Sequence, residues 1–148
     1  MISKFVKLIG TGFGTGYFPV APGTAGSLAA LILIFLFPLT HLAWLVISSV
    51  VFIGGIWISG LIESDTRKDP SEVVIDEFVG QWVSLLFLPR HPAIFIAGFF
   101  LFRIFDIIKP FPANISQNIN GGLGIMLDDL LAGIYTNLCL QLAVYLFF

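Results

Sequence analysis

Residues 8–62 of this 148-residue chain contain no Asp, Glu, Lys or Arg, and neither do residues 78–89, 91–102, 110–127 or 130–148. Within these stretches the apolar residues do not alternate with period two. Strands are therefore not expected, since a sheet in lipid would have to close into a barrel. A helix needs about 20 apolar residues to cross a hydrocarbon core about 30 Å thick. Residues 42–62 and the final run 130–148 meet that length, whereas 27–37, 78–88 and 93–102 read as shorter apolar arms. Pro38-Leu39-Thr40-His41 and Pro89-Arg90-His91-Pro92 read as turns between them. Residues 1–9, with Lys4 and Lys7, read as a short amphipathic or interfacial segment. The glycine run at 10–16 interrupts the apolar stretch too early for a signal-peptide core, so the N-terminus is expected to remain uncleaved.

Composition narrows the class. Charged residues make up 11% of the chain and hydrophobic ones 57%, against about 25% charged in soluble domains. That balance excludes a disordered chain, a basic nucleic-acid binder and an ordinary water-soluble globule. With one Cys, a disulfide-stapled scaffold is excluded too. The expected fold is all-α: a small polytopic membrane bundle with short antiparallel helix hairpins and a long C-terminal helix, forming one domain over residues 1–148. The expected partner is the membrane, with no nucleic acid, and the oligomeric state is left open.

The few charges are not scattered. If residues 89–92 form a hairpin turn, Asp76 and Glu77 lie about as far before it as Arg103 and Asp106 lie after it. An antiparallel pair would bring all four to one depth. Asp128 and Asp129 are expected to open the final helix, so every acidic cluster can share one membrane face. The arm from Asp76 to Leu88 would rise about 20 Å, which places the cluster at or just below the head groups. Six of the seven basic residues, Lys4, Lys7, Arg67, Lys68, Arg103 and Lys109, fall on the cluster's side, and only Arg90 on the other. The positive-inside rule makes that side cytoplasmic.

Two segments resemble each other: Asp76-Glu77-Phe78-Val79-Gly80 and Asp128-Asp129-Leu130-Leu131-Ala132-Gly133. In each, an acidic pair precedes a glycine, and Asp76 with Gly80 and Asp129 with Gly133 are spaced i,i+4 on one helix face. Small residues let membrane helices approach closely, which would gather four carboxylates, with Asp106 a fifth. The plain alternative is that these acids only cap helix N-termini and complement the macrodipole. Intramembrane acids are costly, however, and mark function by default. Converging carboxylates must take up protons or bind a cation, and an all-oxygen set suits Mg²⁺ before Ca²⁺ or Mn²⁺. Zinc is disfavoured, because Cys139 lies mid-helix and neither His41 nor His91 has a partner at ligand spacing. Both histidines read as turn or packing residues.

Arg103, Asp106 and Lys109 repeat every three residues, presenting cation, anion and cation on one helical face. They read either as an interfacial ion pair with a snorkelling lysine or as a functional group. In the latter, Asp106 serves a metal and Arg103 grips a phosphate bidentately. Upstream, Gly12, Gly14 and Thr15 belong to one glycine-rich run, and Thr24 to the segment Pro22-Gly23-Thr24-Ala25-Gly26-Ser27. Such turns can present N–H groups to an anion, or they are simply tight turns at a membrane re-entry. The P-loop pattern is absent.

Five blocks together carry a resemblance: Gly-Thr-Gly-Phe-Gly-Thr-Gly at 10–16, Ala-Pro-Gly-Thr-Ala-Gly-Ser at 21–27, Asp-Glu-Phe-Val-Gly-Gln-Trp at 76–82, Phe-Arg-Ile-Phe-Asp-Ile-Ile-Lys-Pro at 102–110 and Gly-Gly-Leu-Gly-Ile-Met-Leu-Asp-Asp-Leu-Leu-Ala-Gly at 121–133. In that order and spacing the chain resembles the phosphatidylglycerophosphatase A family over nearly its whole length. One departure is Asn120, where the family often has His, so no histidine role carries over to that position. The resemblance implies an all-α, Mg²⁺-dependent phosphatase of the bacterial inner membrane, hydrolysing phosphatidylglycerophosphate to phosphatidylglycerol and phosphate. On this reading Asp76, Glu77, Asp106, Asp128 and Asp129 hold one or two Mg²⁺, and with Arg103 they form the catalytic group. Arg103, Lys109, Lys68, Thr24 and the Gly12, Gly14 and Thr15 loop are the candidate substrate contacts. A carboxylate nucleophile forming an aspartyl-phosphate remains a live alternative. Rival classes are a divalent-cation transporter using the same carboxylates and a purely structural helical bundle.

Overall fold

A computed structural model describes residues 2–65 and 70–148. Among these residues there is no strand. Seven helices follow in order: α1 (Lys4–Gly10), α2 (Pro22–Leu36), α3 (His41–Asp65), α4 (Ile75–Ser84), α5 (Pro92–Ile108), α6 (Ala113–Ser116) and α7 (Gly122–Phe147), with a 3-10 turn at Thr15–Tyr17 between the first two. Helices α3 and α7, of 25 and 26 residues, are long and apolar enough to cross a membrane. Along α3, Leu42, Val46, Val50, Ile53 and Trp57 form one exposed stripe at spacings of three and four. An unpartnered apolar face of that kind suits contact with lipid.

At the centre stands the shortest of the inner helices. Eight of the ten residues of α4 are buried, and α2, α3, α5 and α7 pack around it. Its closest neighbour is α7, where Gly80 and Gly133 meet backbone to backbone. A Cβ on Gly133 would run into the Gly80 carbonyl, and one on Gly80 would come within 2.6 Å of the Asp129 carbonyl oxygen. The i,i+4 acid–glycine pattern thus does bring the two helices together. On the other flank Trp82 donates from Nε1 to the Ala30 carbonyl of α2 at 2.9 Å, and stacks at a tilt on Trp44 of α3 with centroids 5.1 Å apart.

Several boundaries differ from the expected ones. The arm expected to begin at residue 27 starts at Pro22, so Pro22-Gly23-Thr24-Ala25-Gly26 is helix instead of turn. Pro22 presets the helical φ at the first position, and Gly26 lets α2 close on α4, since a Cβ there would lie 2.9 Å from Val74 Cβ. Likewise α7 starts at Gly122 rather than at residue 130. Glycine costs a helix about 1 kcal/mol relative to Ala, but Gly122 sits against the Ile56 carbonyl of α3, where a side chain would not fit. Asp128 and Asp129 therefore do not open the helix. They lie in its second turn, where N-terminal capping cannot account for them.

In contrast, α4 ends early, at Ser84, and α5 runs on to Ile108, past the expected stop at 102. Its extension carries Arg103 and Asp106 on one face, paired to each other. The early end of α4 leaves carbonyl groups pointing into an apolar bundle, where each unsatisfied group is costly. Side chains from elsewhere answer them. Asn137 of α7 donates from Nδ2 to the Val83, Ser84 and Leu86 carbonyls at 3.2, 3.3 and 2.8 Å, and Gln141 reaches the Leu86 and Phe87 carbonyls at 3.3 Å each. His41 Nδ1 accepts the Phe87 N–H at 3.1 Å, and His91 caps α5 by accepting the Ala93 N–H. Both histidines are thus backbone acceptors at turns, as the sequence implied. Arg90 closes the end of α2, donating to the Ile34 carbonyl at 2.6 Å.

Two stability measurements follow from this packing. Asn137→Ala removes the side-chain donor shared by the Val83, Ser84 and Leu86 carbonyls and is expected to cost about 1–3 kcal/mol, read by denaturant unfolding of the detergent-solubilised protein. Gly133→Ala drives a methyl into the Gly80 carbonyl and is expected to lower the thermal midpoint, whereas Gly54→Ala, with open space around it, should leave it unchanged.

Candidate metal and phosphate site

The register between α4 and α7, set by Gly80 against Gly133, places Asp76 and Glu77 one helical turn from the contact and Asp129 at the same level. Helix α5 adds Asp106. The result is two triads of carboxylates. Asp76, Asp128 and Asp129 each offer an oxygen within 4.8 Å of the others', and so do Glu77, Asp106 and Asp129. Asp129 belongs to both. It is 2% exposed, while Asp76 and Asp106 are each 8% exposed. All five acids named from the sequence as metal ligands are therefore gathered in one place.

The donor set fits a hard divalent cation. Every ligand atom is a carboxylate oxygen, as Mg²⁺ prefers. Buried polar atoms nearly always have partners, yet Asp76 Oδ1, Glu77 Oε2 and Asp129 Oδ2 have no hydrogen-bond partner among the described residues. Those three oxygens are spread over both triads. Like charges so close together need a cation or protons between them.

Positive charge borders the cluster. Arg103 donates through Nη1 to Asp106 Oδ2, and Lys109, just past the end of α5, bridges Asp106 Oδ1 at 3.2 Å and Asp128 Oδ2 at 2.7 Å. Burial by itself would lower the Lys109 pKa, but the hydrogen bond and charge of Asp128, with Asp106 and Asp129 behind it, push it up. The ammonium is therefore held charged. Lys109 also has φ 49°, a left-handed conformation that costs a non-glycine residue about 1–3 kcal/mol. Its two carboxylate partners hold it there. Asp128 further accepts the Asp129 N–H at 2.9 Å, which orients the acid pair.

One donor is left over. Arg103 Nε is buried with no partner among the described residues, and its guanidinium faces the start of α2. A Cβ on Gly23 would lie 3.3 Å from both terminal nitrogens of Arg103 and 2.5 Å from Glu77 Oε1. Pro22 occupies the first position of α2 and the first intrahelical bond is made by the Ala25 N–H. The Gly23 and Thr24 N–H groups are thus among the free donors of a helix N-terminus. Gly23 was not singled out from the sequence, because the segment around it read as a turn. Its signal was the Pro-Gly pair at a helix start.

The other glycine loop packs around the start of α4. Gly12 packs on Val74 and Phe78 at the foot of α4, Gly14 has open space around it, and the Thr15 hydroxyl donates to the Gly12 carbonyl at 2.9 Å. Gly16 abuts the Glu72 backbone, and the Val74 N–H donates to the Gly10 carbonyl at 2.9 Å. The loop thereby clamps the chain leading into Asp76. Thr24 lines an apolar groove with Phe18, Val20, Leu28 and Ile32. Lys68 lies outside the described residues.

Comparison with known proteins gives the cluster a context. The family model described as phosphatidylglycerophosphatase A matches residues 8–144. A Bacteroides thetaiotaomicron protein named "Putative phosphatidylinositol-3-phosphatase" is 48% identical over 145 residues, covering 92% of this chain and 91% of that protein. Two proteins named phosphatidylglycerophosphatase A are similar as well. The Escherichia coli one is 41% identical over 86% of this chain and 76% of its own length, and the Haemophilus influenzae one 40% identical over 88% and 83%. No solved structure matches. The matched span takes in every carboxylate of both triads together with Arg103 and Lys109, and the chain belongs to the phosphatidylglycerophosphatase A family.

Proposed function

We propose that this protein is a Mg²⁺-dependent lipid phosphatase that hydrolyses phosphatidylglycerophosphate to phosphatidylglycerol and inorganic phosphate. One observation carries the reading: two carboxylate triads share Asp129 beside an arginine whose buried Nε has no partner among the described residues. Asp76, Asp128 and Asp129 would hold one Mg²⁺, and Glu77, Asp106 and Asp129 a second. Bound there, the metal supplies Lewis-acid stabilisation of the phosphoryl oxygens and lowers the pKa of water.

The chain's own groups do the rest. Arg103, held in place by Asp106, donates to the phosphate, with the Gly23 and Thr24 N–H groups on the same side. Lys109 positions Asp106 and Asp128 and offsets their repulsion. Two apolar grooves of about 330 Å³ flank the site. One is lined by Phe52, Val79, Val83, Leu130 and Ile134, the other by Phe18, Leu28 and Ile32. They give acyl chains an apolar track, so the lipid stays in the bilayer while its phosphate reaches the acids. The two long apolar helices and the bacterial relatives support a multi-pass protein of the bacterial inner membrane, and the distribution of basic residues supports a site on its cytoplasmic face.

A transport path for the same cation would need polar side chains on through the spans. Beyond Asp129, the Thr136 hydroxyl is bonded to the Ala132 carbonyl, and Asn137 and Gln141 are engaged with the end of α4. That arrangement favours the enzyme. A second substrate has a specific observation behind it, the name of the 48% identical relative. A phosphorylated inositol lipid is, like phosphatidylglycerophosphate, a phosphate monoester on a polyol head group.

The test is phosphate release by purified protein from phosphatidylglycerophosphate, phosphatidate and phosphatidylinositol phosphate, with Mg²⁺ and with chelator. Release is expected to be fastest from phosphatidylglycerophosphate and abolished by chelation. Preference for the inositol lipid would move the assignment to that substrate, and release from none would overturn the enzyme reading. Asp129→Asn and Asp76→Asn are expected to fold normally and lose about 100-fold or more in rate, the loss of several kcal/mol of charge stabilisation. Full activity in both would remove the metal assignment and return these acids to a structural role. In Gly23→Ala the new methyl displaces only the flexible ends of Glu77 and Arg103. The fold should survive with its thermal midpoint unchanged, while the rate falls about 100-fold through misplacement.

A further inference from the structure

The carboxylate cluster also borders open space. A small pocket of about 40 Å³ is lined by Glu63 near the end of α3, Asp76 of α4, Gln117 just after α6, and Gly121, Gly124 and Asp128 around the start of α7. Three of these are acids, and none of the described residues lining the pocket is cationic. Asp76 is 8% exposed, and its Oδ1 has no partner among the described residues. An oxygen buried in that way is costly unless a ligand meets it. Room for a water-sized guest begins at about 10–15 Å³, so the pocket accommodates one.

We infer that this pocket is the aqueous port through which the divalent cation reaches Asp76, Asp128 and Asp129, with Glu63 as its outer carboxylate and Gln117 as a neutral oxygen donor. The inference rests on the metal-dependent reading above. Mg²⁺ gives up its waters reluctantly, so an outer acid that holds the hydrated ion before the inner ones strip it lowers the barrier to loading. Three carboxylates in a narrow recess also concentrate cations. In-line displacement places the attacking water opposite the leaving oxygen. Because the leaving oxygen carries the lipid, the attack side must be the aqueous one. Glu63 and Asp76 disfavour a phosphate in this pocket, whereas Arg103 and Gly23 are placed to receive one.

Mn²⁺ is the probe. Its binding to the full chain in nanodiscs is titrated by electron paramagnetic resonance, in parallel with the Mg²⁺ concentration giving half-maximal phosphate release. Glu63→Gln is expected to weaken Mn²⁺ binding about tenfold, the size of an outer-ligand loss, and to raise the Mg²⁺ requirement by a similar factor while the KM for lipid stays put. Glu63→Asp should restore most of it. Gln117→Glu, at an exposed position, should shift both readings the opposite way, which a merely structural role would not do. Unchanged Mn²⁺ binding in Glu63→Gln, or the same direction of shift in both variants, would overturn the port. Protein that binds Mn²⁺ with this Glu63 dependence yet releases no phosphate from any lipid would support the port and overturn the phosphatase reading.

Discussion

Five carboxylates drawn together inside an apolar bundle are the constraint on which the rest of the structure depends. Two unit charges 4 Å apart repel by about 4 kcal/mol even at an effective dielectric of 20, and here Asp129 stands in two triads at once. No such cluster forms unless something imposes it. The Gly80–Gly133 contact does so, by locking α4 and α7 at a separation no side chain would permit. Arg103 and Lys109 then balance part of the charge from α5 and its end. The oxygens left without partners among the described residues are the ones a cation would meet.

The same two helices meet again at the far end of α4, which stops at Ser84 after about 15 Å. Its carbonyl end is then stranded in apolar surroundings. Asn137 and Gln141, on the helix that also carries Asp129, supply the missing donors. One face of α7 thus serves both ends of α4, with carboxylates at the start and amides at the finish. Family membership and the geometry meet at this helix pair, whose clustered acids all lie within the matched span.

Much of this was legible in the chain. The charge-free runs gave the helical class, because apolar residues without period two admit little else in lipid. The spacing of Asp76 to Gly80 and Asp129 to Gly133 gave the close approach, because i,i+4 residues share a face whatever the surroundings. The Pro89–Pro92 turn gave the common depth of Glu77 and Asp106, since an antiparallel hairpin equalises distances from its turn. Helix boundaries were less legible. Glycine-rich stretches at 22–26 and 122–124 have the composition of turns and become helix only because neighbouring backbones pack where side chains would clash.

Sequence by itself therefore determined the membrane-suited helical class, the acids that come together and the family, since each is written in local composition, spacing and motif order. Tertiary structure alone decided which acids come within reach of one another, that Asp129 belongs to both triads, that Gly23 lies against Arg103 and Glu77, and that Glu63 and Gln117 line a pocket with Asp76 and Asp128. Those relations join residues far apart along the chain. Their distances are set by how closely backbones can approach, a quantity that no local pattern encodes.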